Sequence, residues 1–206
     1  MKTSRVLAAS VIAAILEIGS AAQASTIYDS LGSTVLGWVP INPGGAVAQS
    51  FTTGAESATF NSVTLAMYEW QPIGGFAVHL YDSTGAGNAP GALLLTLEGS
   101  DRPGSGNYSY TGTLSLTPNT TYWVEADATY ASGANYEWSV GLDDPTIGSG
   151  IGRAAKENGA EAWTQYSMGN LLMLVDATPS VVPEPGSIAL IALGGLGLLL
   201  RRQRSA

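Results

Sequence analysis

The chain has 206 residues, 26 of them glycine and none cysteine, and a formal net charge of −8; without its two apolar ends it leaves roughly 155 residues, one domain of ordinary size. The missing cysteine excludes a disulfide framework, a thiolate nucleophile and a Cys-ligated metal. From residue 25 to 182 only Arg102, Arg153 and Lys156 stand against fourteen acidic residues, a net charge of −11, which excludes nucleic acid as a partner, because that affinity comes largely from Lys and Arg displacing condensed counterions.

The N-terminus opens with Lys2 and Arg5, continues through an apolar run over 6–16, and reaches the small-x-small triplet Ala22-Gln23-Ala24. A basic start, a short apolar stretch and such a triplet make a secretory signal peptide. Residues 1–24 are therefore expected to pass the Sec translocon and to be removed by signal peptidase, with Ser25 as the first mature residue. The apolar run is too short for a stable membrane span.

The middle of the chain is rich in Gly, Thr, Ser, Tyr, Trp and Val, a composition suited to short strands joined by tight turns. Alternation predicts strands over 34–39, 46–53, 59–68, 76–81, 93–97, 108–116, 121–130, 136–142 and 171–175. Turn chemistry falls between them, in Asn42-Pro43-Gly44-Gly45, Pro72-Ile73-Gly74-Gly75, residues 84–88 and residues 101–107. With no βαβ pattern the pairing is expected to be antiparallel, and residues 25–180 are read as an all-β, antiparallel, jelly-roll-like sandwich. In 76–81 one face carries Phe76, Val78 and Leu80, and the other Ala77, His79 and Tyr81. In 121–127 Tyr122, Val124 and Ala126 oppose Trp123, Glu125 and Asp127, and periodicity leaves open which set faces inward.

Chemistry-bearing groups are sparse. His79 is the only histidine, so a Ser-His-Asp triad would need it; no Gly-x-Ser-x-Gly elbow presents a serine, and His79 reads as an exposed or hydrogen-bonded strand residue. Glu125 and Asp127 project from one strand face about 6 to 7 Å apart, between the spacings of retaining and inverting glycosidases. Nothing in the sequence marks either as an acid with a raised pKa, and they read as solvated surface. Asp82 and Asp143-Asp144 sit in turns of the kind that give calcium its oxygen ligands, without EF-hand spacing. No cofactor is expected, a weak structural calcium ion is the one metal this composition admits, and no ligands are assigned to it. Trp38, Trp70, Trp123, Trp138 and Trp163, with nine tyrosines, offer faces for stacking on sugar rings, although two or three of the five are expected in the core.

At the C-terminus Val182-Pro183-Glu184-Pro185-Gly186 precedes an apolar run over 188–200 and then Arg201-Arg202-Gln203-Arg204. Thirteen helical residues cover roughly 20 Å, short of the hydrocarbon thickness of about 30 Å, but the arginine cluster would hold that end in the cytoplasm as a membrane anchor. In this order, residues 181–206 resemble the PEP-CTERM sorting signal, with Pro183, Glu184 and Pro185 as its signature and Arg201, Arg202 and Arg204 as its basic tail. The resemblance implies recognition by a membrane-embedded exosortase, removal of a short transmembrane helix, and release or transfer of the domain to the outer surface or extracellular matrix.

A second resemblance lies in the middle of the chain. Ser50-Phe51-Thr52-Thr53-Gly54, Val63-Thr64-Leu65, Val78-His79-Leu80-Tyr81, Ala89-Pro90-Gly91 and the run over 114–124 look like the choice-of-anchor extracellular domains, most like type R, over about 46–176. That likeness implies a surface domain and supplies no catalytic residues. The function expected is thus a non-enzymatic structural or adhesive role at the cell surface or in the matrix. The alternative is a binding module for extracellular polysaccharide, and a more distant one is a secreted hydrolase.

Overall fold

The computed structural model describes residues 23–71, 74–128, 135–156, 162–166 and 169–180. The apolar run at the N-terminus, Ala22 and the whole tripartite C-terminus, with Pro183, Glu184, Pro185, Arg201, Arg202 and Arg204, lie outside them. Among the described residues there are thirteen strands: β1 (Ser25–Asp29), β2 (Val35–Ile41), β3 (Ala46–Thr52), β4 (Ala58–Gln71), β5 (Ala77–Asp82), β6 (Leu93–Thr96), β7 (Gly106–Leu116), β8 (Thr121–Asp127), β9 (Asn135–Gly141), β10 (Arg153–Lys156), β11 (Thr164–Tyr166), β12 (Asn170–Leu171) and β13 (Met173–Pro179). They form two antiparallel sheets, one of β1, β2, β4, β7, β9, β12 and β13, the other ordered β11-β10-β3-β8-β5-β6. The chain crosses from one sheet to the other after most strands, and the inner faces share one core.

The predicted all-β antiparallel sandwich is therefore what the chain forms, with boundaries that differ for local reasons. β4 is longer than the alternation suggests because Ala58 pairs with Leu116 and Pro179 at one end and β9 takes Glu69 and Gln71 at the other, and within it a register shift between Phe60 and Ser62 changes which residues face inward. Such a bulge lets Phe60 and then Val63, Leu65 and Met67 all enter the same core. The strand expected over 171–175 is two strands broken at Leu172. The Leu172 N–H donates to the Ser139 carbonyl (2.8 Å) and its carbonyl accepts from Ala66 N–H (3.0 Å) and Trp138 Nε1 (2.9 Å), so the chain changes neighbour there. The strand expected to run to 130 ends at Asp127, and residues 129 and 130 lie outside the described part.

β1, β10 and β11 carry too little alternation to stand out in sequence. They are strands because β13, β3 and β10, respectively, offer them edges.

The sandwich is stitched along its sides. On one side Glu98 and Thr111 exchange two backbone hydrogen bonds of 2.8 Å, tying the end of β6 to β7. On the other, residues 146–152 run between β1 and β3: Asp29 N–H donates to the Ile147 carbonyl, and Thr52 and Ser50 N–H donate to the carbonyls of Ser149 and Gly152. Gly148 turns this strap with φ 79°, and a Cβ there would strike the Ile27 carbonyl. Beneath it the buried Gln49 joins the sheets, accepting from Leu171 N–H at 2.9 Å and donating to the Tyr28 hydroxyl at 3.3 Å.

Ser25 pairs with Ala177, so the start of β1 and the exit toward residues 181–204 lie side by side at one end of the sandwich.

Replacing Gln49 with alanine strips the buried Leu171 N–H of its acceptor. The expected cost is about 2 to 3 kcal/mol, read as a melting temperature lower by roughly 5 to 10 °C. An unchanged melting curve would show that the strap and core close the sandwich without this contact.

Candidate functional site

Two places concentrate chemistry, one on the six-stranded sheet and one between the two sheets. The first is the outer face of the six-stranded sheet. Cross-strand pairing sets Ala154, Ala48, Glu125, His79 and Thr96 in one row, with Ser50, Trp123 and Tyr81 in the next. Alanines on β3 and β10, to one side of β8, make a depression in which Trp123 is fully buried, its Nε1 donating to the Asn88 carbonyl at 2.9 Å. Both faces of β8 are thus buried, which answers the question alternation left open.

Glu125 sits in that layer at 5% exposure. The Tyr81 hydroxyl bonds to its carboxyl group, while Oε2 is buried with no hydrogen-bond partner. Burial is the main force raising its pKa from the usual 4.5 to about 7; the Tyr81 hydrogen bond and the Lys156 charge oppose the rise, and Asp127 adds to it. This corrects the sequence expectation of an unremarkable solvated pair: Glu125 is an inner carboxyl group with a raised pKa, and the ladder of alanines beside it was the only signal available. Tyr81 is pushed upward in turn, first by burial and then by the Glu125 charge.

The other candidates are engaged locally. His79 Nδ1 lies 3.0 Å from Thr96 Oγ1, and burial lowers the histidine pKa while Asp127 works against that. Asp82 Oδ1 accepts from Thr84 N–H, Thr84 Oγ1 and Ala92 N–H at 3.1, 2.7 and 2.8 Å. Burial alone would raise Asp82, but these bonds prevail and hold it below the usual carboxylate range. Asp143 Oδ2 accepts from Thr34 N–H at 3.3 Å. Among the described residues no three acidic or histidine side chains converge as metal ligands, so the calcium expectation finds no named site in them. Of the tryptophans, Trp123 and Trp138 are buried, Trp163 is partly buried, and Trp38 is 49% exposed, packed against Tyr68 at 4.8 Å between ring centroids.

The second place is a groove of about 590 Å³, within the usual range for ligand sites, where the two sheets part beyond the strap. Its walls are the Gly37–Pro40 stretch of β2 and, from β10 and β11, Arg153, Ala155, Lys156 and Tyr166, with Val47 and Val140 between them. Pairing puts Arg153 beside Tyr166, and the guanidinium centre stands 4.9 Å from the ring centroid. Sequence reasoning missed this groove because one wall belongs to β10 and β11, the strands it did not find.

The PEP-CTERM protein-sorting motif matches residues 181–204, a span that contains Pro183, Glu184, Pro185 and all three C-terminal arginines. Comparison with curated proteins finds none that matches the chain. The motif is that of an exported protein processed by an exosortase and transiently anchored in the membrane. Ala24 precedes β1, and Ser25, the expected first mature residue, is the first residue of that strand. Among the described residues no helix is long and apolar enough to cross a membrane.

Because its folded pKa of about 7 lies above the usual 4.5, Glu125 keeps more protons in the folded than in the unfolded state, so its contribution to stability is full below pH 4.5 and lost as pH rises to about 7. The loss is about 3 kcal/mol. Glu125→Gln is expected to melt higher than the parent at pH 8 and to match it near pH 4.5. His79, lowered by burial, pushes the other way, so the difference between the two proteins is the quantity to measure. Parallel curves across this range would refute an inner, protonated Glu125.

Tryptophan substitutions should divide by burial. Trp123→Ala and Trp138→Ala are expected to cost about 3 to 5 kcal/mol, and Trp38→Ala much less, by thermal melting. Equal losses at all three positions would contradict this assignment of core and surface.

Proposed function

We propose that the mature domain serves without catalysis, as a structural or adhesive element of the cell surface or extracellular matrix. The observation that carries this reading is the sorting motif at 181–204, which begins directly after β13 and Ser180, at the end of a sandwich with its own core. Export through the Sec translocon, cleavage by signal peptidase before Ser25, and a short C-terminal transmembrane helix over 188–200 complete the route. The likeness of residues 46–176 to choice-of-anchor domains belongs to the same proposal. In support of a non-catalytic role, His79 meets a threonine hydroxyl and not a serine nucleophile, and Glu125, the carboxyl group with the best pKa for acid catalysis, is buried where a polymer does not reach it.

A second reading is favoured by one specific observation, the groove between β2 and β10–β11. It places an exposed tyrosine, a guanidinium and an edge of β2 that pairs with no strand among the described residues around a cleft of ligand size, and extracellular polysaccharide is the ligand such a cleft suits. On this reading adhesion is the work of the groove and the sandwich is its frame.

Mass spectrometry of the protein recovered from the surface of producing cells tests the sorting route. The mature chain is expected to begin at Ser25 and to lack residues 188–200. A C-terminal peptide ending at Ala206 in most molecules would remove processing from the proposal and leave a permanent anchor.

A further inference from the structure

The seven-stranded sheet carries a further surface, on the face of β2 turned away from the groove. Val39 and Ile41 point into the core, so Trp38 and Pro40 point outward. Pairing sets Pro40, Glu137 and Tyr68 in one row, and Trp38 opposite Ser139 in the next. The indole packs on Tyr68, with 4.8 Å between ring centroids and 30° between planes. β9 lies between β2 and β4, so the indole crosses the outside of β9, which accounts for Ser139 being only 6% exposed although it points outward. One face of the Trp38 ring is thus held against protein, and with half of the residue exposed the other face is open. Trp123 and Trp138 donate Nε1 to backbone carbonyls, whereas Trp38 Nε1 meets no acceptor among the described residues.

We propose that this surface binds a neutral polysaccharide whose pyranose rings carry equatorial hydroxyls, one sugar stacked on Trp38 and the chain lying along the outside of β4 and β7. Such a sugar presents C–H bonds on its flat faces and hydroxyls around its rim. The electron-rich open face of the indole takes the first. Its Nε1–H and the half-buried Glu137 carboxylate, one row away, give the second a donor and an acceptor. Past Tyr68 the outer face continues as hydroxyl pairs: Thr64 with Ser109, Ser62 with Thr111, and Thr59 with Ser115. The Thr64 and Ser109 hydroxyls are 2.7 Å apart. From Tyr68 to Thr59 this lane runs for roughly 30 Å, enough for several sugars.

Charge and area select the occupant. Residues 25–182 hold fourteen acidic residues against three basic ones, yet residues 59–68 of β4 and 107–115 of β7 include neither kind. Glu137 at one end of the lane and Asp176 on the neighbouring β13 repel a polyanion. A protein partner needs about 800 Å² of surface with an apolar centre, and the apolar part here is one indole with Tyr68 and Pro40 beside it. The site is separate from the groove, lies on the opposite face of β2 and uses no cation.

The test is native affinity electrophoresis of the protein recovered from producing cells, through gels containing hydroxyethylcellulose, a mixed-linkage β-glucan or polygalacturonate. Retardation is expected with the two neutral glucans and not with polygalacturonate. Trp38→Ala is expected to weaken it about tenfold with a melting curve close to the parent's, and Trp38→Phe, which keeps a ring, to restore part of it. Thr64→Glu, on the exposed lane, is expected to weaken it about threefold, and it decides the outcome if Trp38→Ala melts well below the parent. Polygalacturonate retarding the protein as much as the glucans would overturn the neutral class. No retardation by either glucan, or full retardation of a folded Trp38→Ala, would overturn the site. Loss with Tyr166→Ala and not with Trp38→Ala would put the glycan in the groove, which overturns this site and spares the reading of the groove.

Discussion

The seven-stranded sheet depends on the pairing of one strand. β4 runs fourteen residues, from Ala58 to Gln71. Along one edge it is matched by β7; along the other, β13 takes the half near Ala58 and β9 the half near Gln71. β1 joins through β13, while β2 and β12 join through β9. The β1–β13 pair, the β2–β9–β12 group and β7 are therefore held in one sheet by β4. Because β13 and β9 divide its edge, the sheet is laterally split, and Leu172 closes the split by bonding to both Ser139 and Ala66. The cleft opposite β10 follows, since the β1–β13 part of the sheet is strapped to β3 by residues 146–152 while β2, which among the described residues pairs with β9 alone, stands clear.

The six-stranded sheet solves a different problem. A sandwich sheet normally shows its outer face to water, and polar side chains suffice there. Here small alanines on β3 and β10 leave space that Trp123 fills from β8, roofed by the turn containing Asn88. Glu125 follows two residues later on the same face and shares the dry layer. A lone carboxylate is costly to bury, and the protein lowers the cost by keeping it partly protonated and giving one oxygen the Tyr81 hydroxyl. The electrostatic oddity thus follows from packing Trp123 on the outside of a sheet.

Much of this was legible in the chain, and the exceptions have physical reasons. Strands with strong alternation, such as Ala77–Asp82 and Thr121–Asp127, announce themselves because each carries apolar side chains at successive alternate positions, Val78 and Leu80 in one and Tyr122, Val124 and Ala126 in the other. Arg153–Lys156 and Thr164–Tyr166 do not, since short edge strands owe their form to a neighbour far away in sequence, Ala154 to Ala48 for example. Glu125 shows the same limit: its two carboxylate-sized steps from Asp127 are local and readable, but its burial is set by residues of β3, β5 and β10. The sorting motif is read in full from sequence because it is a linear signal that needs no tertiary neighbour.

The order of strands also bears on how the domain comes to exist on the far side of a membrane. A chain translocated from its N-terminus delivers β1 first and β13 last, yet β13 lies between β1 and β4. Until residues 173–179 have crossed, β1 has no strand to pair with among the described residues, and the inner edge of β4 is half empty. The closing contacts join residues about 150 positions apart, such as Thr26 with Asp176, and long-range pairing of this kind is slow to form. On the proposed Sec route the sandwich therefore stays open until its final strand arrives, directly ahead of the sorting motif.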